Sequence, residues 1–128
     1  MSHFLSEGVR RATAVICDDD PMTRRLVREI VEGCGYEVLA GVDNAMDALN
    51  LVLDHEPDVL VLDSALRGIN GEEIIAAIQD STQTKVIVHS SFDPRQAVKS
   101  GARLFASKGN IKNLEKMLLK VRAAQISV

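Results

Sequence analysis

TAVICDDDPMTRRLVREIVEG, running from Thr13 to Gly33, changes character halfway. Thr13 to Cys17 is a short β-branched and apolar run that reads as a buried strand. Three carboxylates follow, Asp18, Asp19 and Asp20. Beyond them Leu26, Val27, Ile30 and Val31 recur on one helical face and Pro21 suits a first helical position, so a helix is predicted over about Met22 to Gly33. Gly33 and Gly35 stop it. A strand that feeds a helix through a short acidic turn is one β/α unit, and the rest of the chain repeats it.

Four more strand-like runs follow, at Glu37 to Val42, Asp58 to Leu62, Lys85 to His89 and Leu104 to Ala106. A second helix is expected from about Asn44 to His55, burying Ala45, Ala48, Leu49 and Val52, with Asp43 or Asn44 capping its start and Pro57 blocking its continuation. A third runs from about Gly71 to Ile78. A fourth, between Asp93 and Ser100, has room for barely two turns. The last, from about Asn110 to Ala123, carries Leu114, Met117, Leu118 and Val121 in register. Strands separated by helices imply right-handed crossovers, hence an α/β fold with a mostly parallel sheet covered on both faces.

A chain of 128 residues, 46% hydrophobic and 26% charged, holds one compact domain, read here as residues 12–128 behind a tail at 1–11. Aromatics are 3% and Trp is absent, so Val, Ile, Leu and Ala must build the core. A net charge of -3 argues against binding a polyanion, and Arg10 and Arg11 read as part of a solvated tail. Met1 to Gly8 lacks the apolar core of a signal peptide and no stretch approaches a membrane span, so a cytoplasmic protein with no membrane partner is expected. Cys17 and Cys34 lack metal-ligand spacing and read as reduced structural thiols. His89 reads as a packed strand residue, His3 and His55 as tail and helix-end residues.

In open parallel sheets, ligands bind beyond the carboxyl ends of the strands. There the runs end in Asp18, Asp19 and Asp20, in Asp63, in Ser90 and Ser91, and shortly before Lys108. Carboxylates gathered at one edge repel unless a cation compensates them. Mg2+ suits a few carboxylates plus phosphate oxygens, whereas Zn2+ would prefer His or Cys. A carboxylate beside such a cation can attack phosphorus, and Asp63, alone at the end of the central run Val59-Leu60-Val61-Leu62, is the candidate nucleophile. Lys108 would add a positive charge and Ser90 a hydroxyl donor. A capping role accounts for one of the three aspartates in a row, but not for all.

The set Val15-Ile16-Cys17-Asp18-Asp19-Asp20-Pro21, Val59-Leu60-Val61-Leu62-Asp63, Val88-His89-Ser90-Ser91 and Phe105-Ala106-Ser107-Lys108 resembles the response-regulator receiver family of two-component signalling, over nearly the whole chain after Ala12. The resemblance implies a flavodoxin-like five-stranded sheet of order 2-1-3-4-5, the order that a member of this family commonly illustrates. It implies Asp63 as phosphoacceptor, Asp19 as direct Mg2+ ligand, Asp18 as a ligand through water, and the backbone carbonyl of Ala65 completing the metal shell. It also implies Ser90 and Phe105 as switch residues, Lys108 as the phosphate-binding lysine, and Gly71 as the glycine before the third helix. The phosphoryl group would come from a histidine kinase or phosphotransfer protein. With the chain ending soon after its last helix and no output domain expected, the signal would pass to a downstream protein target, with no direct nucleic-acid contact. Enzymatic character would be limited to the chain's own phosphorylation and dephosphorylation.

The chain departs from the family pattern at several places. Arg67 and Gly109 stand where prolines are usual, the second of these departures bearing on how Lys108 is oriented. The stretch from Ser91 to Leu104 is about one helical turn short. Ala65 and Phe92 put apolar side chains where access of water to the acyl phosphate is usually tuned, which would lengthen its life. These departures motivate a rival reading, a phosphorylation-independent receiver-like interaction module. Another rival, a phosphohydrolase using Asp18 and Asp20 beside Asp19, has no room for a substrate cap.

Overall fold

The computed structural model describes residues 11–63, 71–91, 101 and 103–126. Five strands, β1 (Thr13–Cys17), β2 (Glu37–Val42), β3 (Val59–Asp63), β4 (Lys85–Ser90) and β5 (Leu104–Ser107), pair in parallel in the order β2-β1-β3-β4-β5. Helices α1 (Pro21–Gly33), α2 (Ala45–His55), α3 (Gly71–Ser81) and a C-terminal helix (Ile111–Ile126) cover the sheet. Alternate strand residues point to opposite faces. Ala14, Ile16, Val61 and Ile87 therefore pack with Val27, Val31, Leu114 and Leu118 from α1 and the C-terminal helix. Val15, Leu60, Leu62 and Val88 meet Ala48, Val52, Ile74 and Ile78 from α2 and α3. Each fully buried aliphatic side chain contributes about 2 kcal/mol. The expected fold class and strand order hold.

Local chemistry sets the element ends. The Asp20 carboxylate accepts from Thr23 N at 3.1 Å with Pro21 next, and Asn44 Oδ1 accepts from Asp47 N at 2.9 Å, two N-caps. At the end of α1, Gly35 takes φ +91 and Arg122 Nη1 donates to Cys34 O at 3.0 Å. Glu56, the C-cap of α2, is left-handed at φ 43.

Several expectations shift. Leu26 is 45% exposed rather than core, because Val27 and Val31 centre the buried face and Leu26 lies about 100° round the helix from Val27. Asp58 precedes β3 instead of opening it, since its carboxylate accepts from Thr13 N at 2.7 Å. β3, β4 and β5 each run one residue further than their apolar runs, to Asp63, Ser90 and Ser107. Helix α3 continues to Ser81 and the C-terminal helix to Ile126. The tail before Arg11, the fourth helical stretch, Ala65, Arg67 and Phe92 lie outside the described residues.

Candidate metal and phosphoryl site

The carboxyl ends of β1, β3, β4 and β5 bring their polar residues to one edge. Asp18, Asp19 and Asp63 each present an oxygen, and these oxygens lie within 4.8 Å of one another. Asp18 and Asp63 are buried, while Asp19 is exposed. Lys108 Nζ reaches in from the β5 side to 3.1 Å from Asp63 Oδ1 and 3.3 Å from Asp18 Oδ2. Among the described residues, three carboxylates gather around this one ammonium.

The backbone explains why these side chains meet. Asp18 N donates to Val42 O at 3.0 Å, continuing the β1–β2 ladder past the last strand residue. Lys108 N donates to Ser90 O at 2.8 Å, which does the same for β4 and β5. Gly109, where the family that the sequence resembles usually has proline, uses the N–H that proline lacks to donate to Ser107 Oγ at 3.2 Å. The turn that carries Lys108 is thus closed by a local hydrogen bond.

The electrostatics follow from burial and charge. Burial raises the Asp18 pKa most, the N–H of Asp20 opposes it, and the Asp63 charge adds to the rise. For Lys108, burial works downward, but the hydrogen bond to Asp63 and the charges of Asp63 and Asp18 together outweigh it, and the net shift is upward. Among the described residues, Asp18 Oδ2 is buried with no hydrogen-bond partner, although it lies within ion-pair reach of Lys108. An oxygen-only donor set with an orphaned buried carboxylate oxygen fits a hard divalent cation. Cys17 does not compete as a ligand: its thiol donates to Asn44 O at 3.3 Å, and burial, then the charge of Asp63, push its pKa to about 12.

The other candidates fall into place around this pocket. Asp20 turns away to cap α1, and its pKa is lowered by the Thr23 hydroxyl and then the Thr23 N–H. Ser90 is buried at the end of β4. Phe105 is half-buried against the α2–α3 core. His89 is packed, in register with Asp63 on one side and Ala106 on the other, and its Nδ1 has no hydrogen-bond partner among the described residues. Burial first, then the Lys108 charge, lower its pKa to about 4, so it is neutral at neutral pH. Sequence reasoning missed Arg24, whose Nη1 donates to the carbonyl of Asp18 at 2.7 Å. One signal was available, a cation early in a helix whose first turn has no acid, where the helix dipole favours negative charge.

The family model described as the response regulator receiver domain matches residues 14–121. A Pseudomonas aeruginosa protein named as a transcriptional regulator is 33% identical over 114 residues, covering 85% of this chain and 54% of that protein. The polar-differentiation response regulator DivK of Brucella anthropi is 28% identical over 75 residues, which are 59% of this chain and 60% of DivK. Among solved structures, the signal receiver domain of a Mycobacterium tuberculosis protein named as the response regulator NarL gives a TM-score of 0.76 at 27% identity. That match covers 86% of this chain and 94% of that one. The chain spans about half the length of the Pseudomonas protein. Among the described residues, no helix is long and apolar enough to cross a membrane.

Proposed function

The chain belongs to the response regulator receiver domain family, and from that premise we propose that it accepts a phosphoryl group on Asp63 from a histidine kinase or phosphotransfer protein and passes the signal to a downstream protein. In this reading the receiver domain runs over residues 12–128 behind a tail at 1–11, and the protein would work in the cytoplasm. The observation that carries this reading is Lys108 Nζ at 3.1 Å from Asp63 Oδ1 and 3.3 Å from Asp18 Oδ2, across a pocket of three carboxylates.

Asp18, Asp19 and Asp63 are the residues that would hold Mg2+, with the carbonyl of Ala65 as a further ligand. When bound, the ion neutralises charge on the phosphoryl oxygens during transfer. An Asp63 oxygen attacks phosphorus and forms an O–P bond while the P–N bond of a phosphohistidine breaks, and the departing imidazole keeps the electron pair and takes a proton from solvent. Lys108 balances the added negative charge, and the Ser90 hydroxyl donates to a phosphoryl oxygen. Ser90 and Phe105 then bias a two-state equilibrium toward the conformation that the downstream protein reads.

Incubation with a small phosphodonor and Mg2+ tests this. Wild type should acquire a label that base and hydroxylamine release, and Asp63→Asn should not; equal labelling of the variant would overturn the assignment.

A further inference from the structure

Arg24 lies in the early turns of α1, where the helix dipole disfavours a cation, and it is half-buried rather than solvated. Its Nη1 donates to the Asp18 carbonyl at 2.7 Å. That carbonyl belongs to the peptide that joins Asp18 to Asp19. Because a peptide is planar, this hydrogen bond fixes the plane from which both acidic residues project. Asp18 N, bonded to Val42 O at 3.0 Å, holds the preceding peptide to β2.

A second observation on another strand points the same way. Gly41 pairs with Ile16 across the β1–β2 ladder, and a Cβ built on it would stand 3.4 Å from Cγ and from Cδ of Arg24. The φ of Gly41 is not positive, so its backbone alone does not call for glycine. A Cβ there would just touch the Arg24 stem at van der Waals distance, so a larger branched side chain at this position would press on it.

We propose that Arg24 is a positioning residue for the acidic pocket: it sets the Asp18–Asp19 peptide so that both carboxylates face a divalent cation, with its stem packed beside Gly41. This inference rests on the reading of the pocket as a Mg2+ site. It makes a prediction opposite in sign to that of simple charge. A guanidinium acting only as a nearby positive charge would repel Mg2+, and its removal would tighten binding. A guanidinium that orients the ligands aids binding, and its removal weakens it.

The test is a Mg2+ titration without phosphodonor, followed by the amide signals of Asp19 and Asp63 in NMR spectra of wild type, Arg24→Met, Arg24→Lys and Gly41→Val. Arg24→Met and Gly41→Val should both bind Mg2+ roughly tenfold more weakly than wild type. Arg24→Lys, which keeps a charge and a donor, should fall between. Gly41→Val keeps the guanidinium and adds a residue suited to strands, so its loss of affinity separates positioning from charge and from instability. Arg24→Met that binds as tightly as wild type or tighter, or Gly41→Val that binds equally, overturns the inference. If Arg24→Met does not fold, Gly41→Val decides alone. A wild type that does not bind Mg2+ overturns the reading of the pocket, and this inference with it.

Discussion

Lys108 Nζ sits 3.1 Å from Asp63 Oδ1, joining the end of β3 to the turn after β5. Its second contact, to Asp18 Oδ2 at 3.3 Å, makes it the cation that two buried carboxylates share. Removing it leaves these carboxylates without compensation in a site that water reaches poorly. Lys108→Met should therefore lose about 2 kcal/mol of stability at pH 7 in EDTA, a figure kept below the fully buried range because the lysine is partly exposed. Mg2+ should recover much of that loss, since the variant pocket carries more negative charge. Denaturant unfolding with and without Mg2+ checks this; a variant that gains no more from Mg2+ than wild type would contradict the shared-cation account.

His89 gives a pH dependence whose sign can be worked out. Burial and the Lys108 charge lower its pKa from 6.5 to about 4 in the folded protein. Between these values the unfolded chain takes up a proton that the folded chain refuses, so the contribution is fully present above 6.5 and is lost as pH falls toward 4. A shift of this size corresponds to about 3 kcal/mol. Asp18, whose pKa is raised, works in the opposite sense over acidic pH, so the comparison must be a difference. The stability of wild type minus that of His89→Leu, both in EDTA, should fall by about 3 kcal/mol from pH 7 to pH 4. Parallel stability curves for the two proteins would refute the buried neutral imidazole.

How far the sequence could be read follows from where each signal resides. The central strands β1, β3 and β4 were legible because they bury both faces and so read as apolar runs, and the half-buried edge strands β2 and β5 kept enough apolar residues to be seen. Their ends were not, because Asp63, Ser90 and Ser107 remain in strands one residue past the point where apolarity stops. Helix α3 outlasts its apolar pattern in the same way, through the polar Gln79, Asp80 and Ser81. The meeting of Asp18, Asp63 and Lys108 was legible because strand ends in a parallel sheet share one edge. The division of labour among three consecutive aspartates depends on side-chain direction, which composition does not encode. The partner of Arg24 was not legible, because its acceptor is a backbone carbonyl, which carries no residue identity; only the misplaced cation itself hinted at a contact.

Two glycines near the end of α1 should respond to alanine in opposite ways. Gly33 is helical and a Cβ there meets nothing within 4 Å, so Gly33→Ala should stabilise by about 0.5–1 kcal/mol. Gly35 has φ +91, and a Cβ there would collide with the Arg122 guanidinium. Gly35→Ala should cost about 1–2 kcal/mol, from the left-handed backbone alone, and should also displace Arg122 from the Cys34 carbonyl. Thermal melts of the two variants check the pair, and a stabilised Gly35→Ala would contradict the geometry of this corner.

The consecutive aspartates offer the sharpest separation of stability from chemistry. Asp20 accepts from Thr23 N at 3.1 Å and caps α1, whereas Asp19 is exposed and presents an oxygen to the group formed with Asp18 and Asp63. Asp20→Ala removes the cap and should cost about 1 kcal/mol. It keeps the Asp20 backbone N–H that donates to Asp18 Oδ1 at 2.9 Å, so Mg2+ affinity and labelling of Asp63 should change little. Asp19→Ala removes an exposed charge from a crowded acidic pocket and should leave stability unchanged or slightly raised in EDTA, because it relieves repulsion. Its Mg2+ binding should nevertheless fall at least tenfold, the scale seen even for partners outside the ligand shell. Melting curves in EDTA and Mg2+ titrations on the two variants measure both quantities. If Asp20→Ala lost Mg2+ affinity while Asp19→Ala kept it, the cap and the ligand would have to exchange places.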